Sequence, residues 1–183
     1  MNVSEAIAKR KSVRAYDDRP VPADVLKQII EAAQWAPNAG PFQVSVITNV
    51  GLRQRINNRA KDAMIHSGND FLQKRASLPD YEPMYGAPVL ILLSAPADSP
   101  LATINTALAA ENMLLEATEL GLGSCFLMTP ARALNGEKNH DLAQKAGISE
   151  GHMVQCAVIV GYAAAENRFT IDRSERGRVN YVE

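Results

Sequence analysis

Residues 101–128 read LATINTALAAENMLLEATELGLGSCFLM, and the fold class turns on how this run is parsed. Leu101 to Leu120 reads as one long helix with almost no charge, carrying Ile104, Ala107, Leu108, Met113, Leu114, Leu115 and Ala117. A helix apolar nearly all round is buried, either in a core or against another subunit. Gly121 suits the left-handed position that stops a helix. Gly123-Ser124-Cys125-Phe126-Leu127-Met128 then returns as a strand.

Working outward, Val89-Leu90-Ile91-Leu92-Leu93 is an unbroken apolar run, as expected of a central strand covered on both faces. Met153 to Val160 is a second such run, closed by Gly161-Tyr162, and Val44, Val46 and Ile47 make a further strand. Asn2 and Glu5 have capping-box spacing for a first helix that places Val3 and Ile7 on one face and ends near Arg10. Pro22 is set as the first residue of a second helix, whose stripe is Leu26, Ile29, Ile30 and Ala33. A surface helix from Gly51 to Met64 turns Leu52, Ile56, Ala60 and Ala63 inward and Arg53, Arg55 and Lys61 outward. Residues 131–146 hold another in their second half only, stopped by Gly147.

Strands and helices do not alternate regularly in this order. That favours an α+β three-layer sandwich, a mainly antiparallel central sheet flanked by helices, over a doubly wound sheet. The chain of 183 residues is expected to form a single domain spanning 1–183. Residues 66–86 lack regular patterning beyond a short helix at Phe71-Leu72 capped by Asn69 or Asp70, and read as a functional lid. Residues 166–183 read as an extended polar C-terminal tail carrying Arg168, Arg173, Arg176 and Arg178.

The formal net charge of −1 supplies no long-range pull toward nucleic acid or membrane, so any anion site has to be local. Cys125 and Cys156 lie far apart without CxxC spacing, which speaks against a metal site and for buried free thiols in a reducing cytoplasm. Met1 to Ala8 is too polar and short for a signal peptide, and the run Pro88 to Ala97 is too short to span a bilayer. The expectation is a cytoplasmic protein with no membrane and no nucleic-acid partner.

Three stretches could carry chemistry. Arg10-Lys11-Ser12-Val13-Arg14 sets three cations and a hydroxyl within one short segment, the donor types that grip a phosphate. A solvated basic face is the plainer alternative, and neither a Walker A loop nor a GxGxxG fingerprint is present. Pro37-Asn38-Ala39-Gly40-Pro41, leading to Gln43, fixes a loop whose polar groups could meet a flat heterocycle, or could simply turn the chain. Gly123 and Ser124 allow close backbone approach. Acid–base machinery is thin: His66, His140 and His152 read as surface residues, and GxSxG, HExxH and paired-carboxylate motifs are absent. Glu111 and Glu116 sit on the helix read as buried and there need partners. No side chain is assigned as catalytic and none as a metal ligand; an enzyme of this kind would rely on a cofactor.

In chain order, Arg10-Lys11-Ser12-Val13-Arg14, Trp35-Ala36-Pro37-Asn38-Ala39-Gly40 with Gln43, Gly86-Ala87-Pro88, Gly121-Leu122-Gly123-Ser124-Cys125-Phe126 and Gly161-Tyr162 resemble the nitroreductase family of flavoproteins. The resemblance implies an α+β homodimer with FMN in clefts between subunits, reduced by NADH or NADPH at flavin N5 and reoxidised by a small-molecule acceptor such as a nitroaromatic or quinone in ping-pong fashion. It implies that Arg10, Ser12 and Arg14, with Lys11 nearby, hold the phosphate and ribityl chain, joined by Arg173 or Arg176 from the tail. Pro37, Asn38, Ala39, Gly40 and Gln43 would face the flavin from the second subunit. Gly123, Ser124, Phe126 and Leu127 would lie along the ring, and Tyr81 and Tyr85 would border the substrate side. Pro41 stands where the family pattern has Asn and lacks its side-chain donor, leaving Asn38 as a substitute. The same fold also serves oxygen-dependent flavin chemistry and reductive dehalogenation. The alternative outside enzymology is a nucleic-acid-binding module that uses the basic cluster.

Overall fold

The computed structural model describes residues 1–165 and 177–182. Strands β1 (Gln43–Ile47), β2 (Val89–Pro96), β3 (Gly123–Leu127) and β4 (His152–Gly161) form one sheet in the order β1-β2-β4-β3. Every neighbouring pair is antiparallel. β2 and β4, the two apolar runs, are therefore the central strands.

Alternation along the central strands builds the layers. Val89, Ile91 and Leu93, with Cys156, Val158 and Val160, pack against α2 (Ala23–Gln34) and α5 (Ala102–Glu119). Leu90 and Leu92, with Ala157 and Ile159, pack on the opposite side against α3 (Val50–Ile65), α6 (Thr129–Leu134) and α7 (His140–Lys145). The result is the three-layer α+β sandwich with a central antiparallel sheet. α1 (Val3–Lys9) opens with the Asn2–Glu5 capping box, and α4 (Asp70–Ala76) is capped by the Asn69 side chain.

Several details differ from the sequence-based expectations. α5 is not buried all round: Ala102, Asn105, Ala109, Met113 and Ala117 face inward, while Ile104 is 57% exposed. Its inward face is built of small residues that let the helix approach the sheet. Its outer face leaves Ile104 and Leu108 exposed to solvent in the single chain. Glu111 is accordingly half exposed and pairs with Arg10 at 3.5 Å rather than being buried. Pro22 precedes α2 as its N-cap instead of starting it. The helix expected in the second half of 131–146 is α7; before it, α6 ends at Leu134, where the Asn135 amide leaves the helix to bond the backbone of Val154 in both directions at 2.9 Å, and Gly136 (φ 93°) separates the two. Arg53 turns inward, its guanidinium donating to the Ala87 carbonyl.

Gly121 (φ 73°) ends α5 with paired bonds, Leu122 N–H to Ala117 O at 2.8 Å and Gly121 N–H to Thr118 O at 3.2 Å. That turn aims the chain directly into β3, the sheet edge that carries the candidate site.

Candidate functional site

The outer edge of β3 is covered by the basic segment. Leaving α1, Arg10 to Arg14 runs extended; Ser12 bridges Ser124 in parallel, and Val13 N–H donates to Ser124 O at 2.9 Å. Gly123 makes this possible, since a Cβ there would stand 2.9 Å from the Val13 methyls. Farther on, Tyr16 bridges Ala163, and its hydroxyl donates to Val13 O at 2.9 Å. Arg10, Ser12 and Arg14 are thereby held along one edge, with Lys11 exposed beside them. Ser124 is 2% exposed, and its hydroxyl has no hydrogen-bond partner among the described residues. A buried hydroxyl rarely stays unsatisfied, so this one suits a polar ligand atom.

Charge converges at the same place. Burial pushes the Cys125 thiol pKa up, while Arg14, a hydrogen bond from Ser12, then Arg10 and Arg75 pull it the other way. Burial also pushes the Tyr16 phenol far above its ordinary value, reinforced by the neighbouring thiol. Both groups stay neutral and add no negative charge at this edge.

The lid joins this edge. Tyr81 and Tyr85 pack edge to face with centroids 6.0 Å apart. Arg75, in the last turn of α4, donates to the Tyr85 hydroxyl at 2.8 Å and lies 5.2 Å from the Tyr81 ring centroid. Arg14 lies 6.0 Å from the Tyr85 ring centroid. Tyr85 adopts φ 52°, unusual for a residue with a Cβ. The Tyr85 ring reaches the basic segment of its own chain, with Tyr81 packed behind it. Arg75 escaped sequence reading because Lys74-Arg75 looks like a favourable helix C-terminus and nothing more.

The Pro37–Gly40 loop lies elsewhere. It precedes β1, at the opposite edge of the sheet from β3. Gln43 aligns with Ser94 and Val154, whereas Ser124 aligns with Val160 and Val89, so the two features also sit at opposite ends of the strands. The offset is about 14 Å across the sheet and about 17 Å along it. One chain does not bring them together. Pro37 to Gly40 is exposed, and Ala39 N–H donates to Asn105 Oδ1 at 3.3 Å. Asn105 is buried on α5, and its Nδ2 has no partner among the described residues. It is a second functional candidate that the sequence did not reveal, since one Asn on an apolar helix carries no pattern.

Gln43 is occupied within the fold: its amide donates to Gly147 O at 2.6 Å and accepts from Ser149 N–H at 3.1 Å. Its role is to anchor the start of β1. Phe126 is partly exposed and Leu127 buried. Arg173 and Arg176 lie outside the described residues. His66 and His140 are exposed, and His152 Nδ1 is 3.5 Å from Ser94 Oγ, at the end of the sheet away from Ser124. Among the described residues no cluster of His, Cys, Asp and Glu could hold a metal, and no helix is long and apolar enough to cross a membrane.

Fold and site together define an α+β sandwich with an arginine- and serine-lined edge backed by an aromatic lid. The profile of the Nitroreductase family matches residues 7–162, and the chain belongs to that family. A nitroreductase from Bacteroides fragilis with bound FMN superposes with a TM-score of 0.90 at 31% identity, over 100% of both chains. An FMN-bound nitroreductase from Desulfitobacterium hafniense shares the fold at a TM-score of 0.85 and 23% identity, over 98% of this chain and 100% of that one. A Methanothermobacter thermautotrophicus protein provisionally named NADH dehydrogenase/NAD(P)H nitroreductase is 29% identical over 98% of this chain and 86% of its own length.

Proposed function

We propose that the protein is an FMN-dependent oxidoreductase that takes electrons from NADH or NADPH and delivers them to a small-molecule acceptor such as a nitroaromatic or quinone. The observation that carries this reading is the β3 edge: Arg10, Ser12 and Arg14 held in line beside a buried Ser124 hydroxyl without a partner among the described residues. Planar guanidinium forks and short hydroxyls match the donor demand of a phosphate monoester. The FMN bound to the Bacteroides relative supports the same choice.

FMN, when bound, supplies the redox chemistry, accepting a hydride from the nicotinamide at N5 and releasing reducing equivalents to the acceptor. The chain's own residues bind and orient. Arg10, Ser12 and Arg14, with Lys11, hold the phosphate and ribityl chain, and Arg173 or Arg176 is the tail residue assigned to join them. Gly123 to Leu127 offers backbone donors along the ring. Fixed N–H groups and guanidinium charge favour an anionic reduced ring without reorganisation. Tyr81 and Tyr85 wall the substrate side and exclude bulk water. A single open face visited first by donor and then by acceptor gives ping-pong kinetics.

The functional unit in this reading is a homodimer. Ile104 and Leu108 on α5, Val3 and Ile7 on α1, and Trp35 before the loop are exposed apolar residues suited to a subunit interface. A second subunit also supplies the Pro37–Gly40 loop that one chain holds too far from its own arginines. Cytoplasmic residence agrees with two buried free thiols.

Purified protein should be yellow, or become so with FMN, and NADH or NADPH should bleach the flavin absorbance anaerobically. Addition of a nitroaromatic or quinone should restore it. A protein that rejects FMN overturns the reading. One that binds FMN but cannot be reduced by either nicotinamide keeps the cofactor and shifts the chemistry to the oxygen-dependent or dehalogenating alternative.

A further inference from the structure

Arg75 is placed as no surface cation need be. Its guanidinium is tied to the Tyr85 hydroxyl at 2.8 Å and lies over the Tyr81 ring at 5.2 Å. The far face of this arrangement meets Arg14, 6.0 Å from the Tyr85 centroid. Tyr85 thus stands between two guanidiniums, one from the lid and one from the basic edge segment. Its φ of 52° costs backbone energy that an ordinary loop tyrosine would avoid. Through Tyr85 the lid cation reaches the same edge that carries Arg14, where an anionic ligand would meet both. We propose that Arg75 is a further cofactor-binding residue: the lid's own cation, delivered by α4 and oriented by Tyr85 toward the anionic oxygens of the ligand held by Arg10, Ser12 and Arg14.

The inference rests on the FMN reading above and extends it to a residue outside the basic segment. Two kinds of oxygen on the cofactor share the required chemistry, those of the phosphate and those of the ring. The electrostatic reach of Arg75 to the Cys125 thiol, alongside Arg10 and Arg14, agrees with one common positive basin. Tyr85 is then a positioning residue. Its hydroxyl holds Arg75 in register, and its ring lies beside Arg14.

The test is flavin binding by the full-length apoprotein, read by quenching of FMN and riboflavin fluorescence, which does not depend on turnover. Wild-type protein should bind FMN; failure there removes the FMN reading and this inference with it. Given binding, Arg75→Gln should raise the FMN Kd about tenfold or more, Arg75→Lys should recover most of that loss, and Tyr85→Phe should fall between, roughly threefold. A loss confined to FMN assigns Arg75 to the phosphate, and an equal loss with riboflavin assigns it to the ring. An Arg75→Gln Kd within twofold of wild type overturns the inference while leaving the FMN reading intact. So does an Arg75→Lys variant no better than Arg75→Gln, because packing rather than charge would then be the cause. Far-UV circular dichroism of each variant establishes that the fold is retained; should Arg75→Gln not fold, Arg75→Lys and Tyr85→Phe decide the matter on the same criteria.

Discussion

At Gly123 a hydrogen stands where every other residue has a carbon, and Val13 takes up the space. A Cβ would meet both Val13 methyls at 2.9 Å, at the point where the basic segment joins β3. Gly123→Ala should therefore lift that segment off the sheet edge, costing roughly 1–3 kcal/mol of stability by overpacking. Flavin affinity should fall with it. Urea denaturation and fluorescence titration measure the two effects, and a variant with both unchanged refutes the packing argument. The sequence suggested close approach at Gly123, but it could not say that the neighbour was Val13, because a contact between residues so distant in the chain leaves no periodicity. The same limit hid Asn105 and Arg75. Asn105 takes its meaning from Ala39, 66 residues away, and Arg75 from Tyr85, across a stretch of loop whose path no periodicity gives. The basic segment was legible because its donors are consecutive.

Cys156 makes a second prediction at this scale. Burial pushes its thiol from the ordinary 9.0 up to about 11, partly offset by the Thr106 side chain. The folded state therefore holds this proton more tightly than the unfolded state. The contribution is complete below pH 9 and is lost as pH rises toward 11. Unfolding free energy should drop by up to about 2–3 kcal/mol across that window. The raised pKa values of Cys125 and Tyr16 act in the same direction. Urea midpoints at several alkaline pH values measure the slope, and Cys156→Ala should flatten part of it. Superimposable profiles would remove Cys156 from the account.

Among the elements, α5 shows most clearly what patterning decides and what it leaves open. Its length, its stop at Gly121 and its apolar character could all be read directly. Which face meets the sheet could not, because a helix apolar on both sides has no strong moment to read. The structure places Ala109, Ala110 and Met113 inward and leaves Ile104 and Leu108 outside. If the outer face is the proposed dimer interface, Ile104→Glu together with Leu108→Glu should weaken dimerisation by roughly two orders of magnitude or more, about 3 kcal/mol. The buried face is untouched, so the secondary structure should persist. Sedimentation velocity across a dilution series reads the outcome, and a variant that sediments like wild type places the interface elsewhere. β2 and β4 were the easier elements: burial on both faces demands continuous apolar runs, and few other structures do. In residues 131–146 the helix of the second half was legible through its stop at Gly147 and is α7, whereas α6 was not, because six residues are too few for a period to register.

On the scale of the whole molecule, the strand order carries the argument. It sets the Arg10–Arg14 segment and the Pro37–Gly40 loop at opposite corners of one sheet. A cofactor touching both requires two chains, and that requirement can be tested without a structure of the dimer. One chain carries Arg10→Ala with Arg14→Ala; the other carries Gly40→Val, a β-branched residue forced into φ 134°. Each homodimer should bind FMN poorly. In a mixed dimer, one site combines both defects, and the other combines intact arginines from one chain with an intact loop from its neighbour. Unfolding and refolding the two together at equal amounts makes half the dimers mixed, so about a quarter of all sites should regain FMN. If arginines and loop served the same cofactor from within one chain, every site in the mixture would carry a defect, and occupancy would stay at the level of the two parents. Recovery of flavin fluorescence quenching on mixing separates these cases directly. It depends on where the loop and the arginines act, not on which acceptor the enzyme uses.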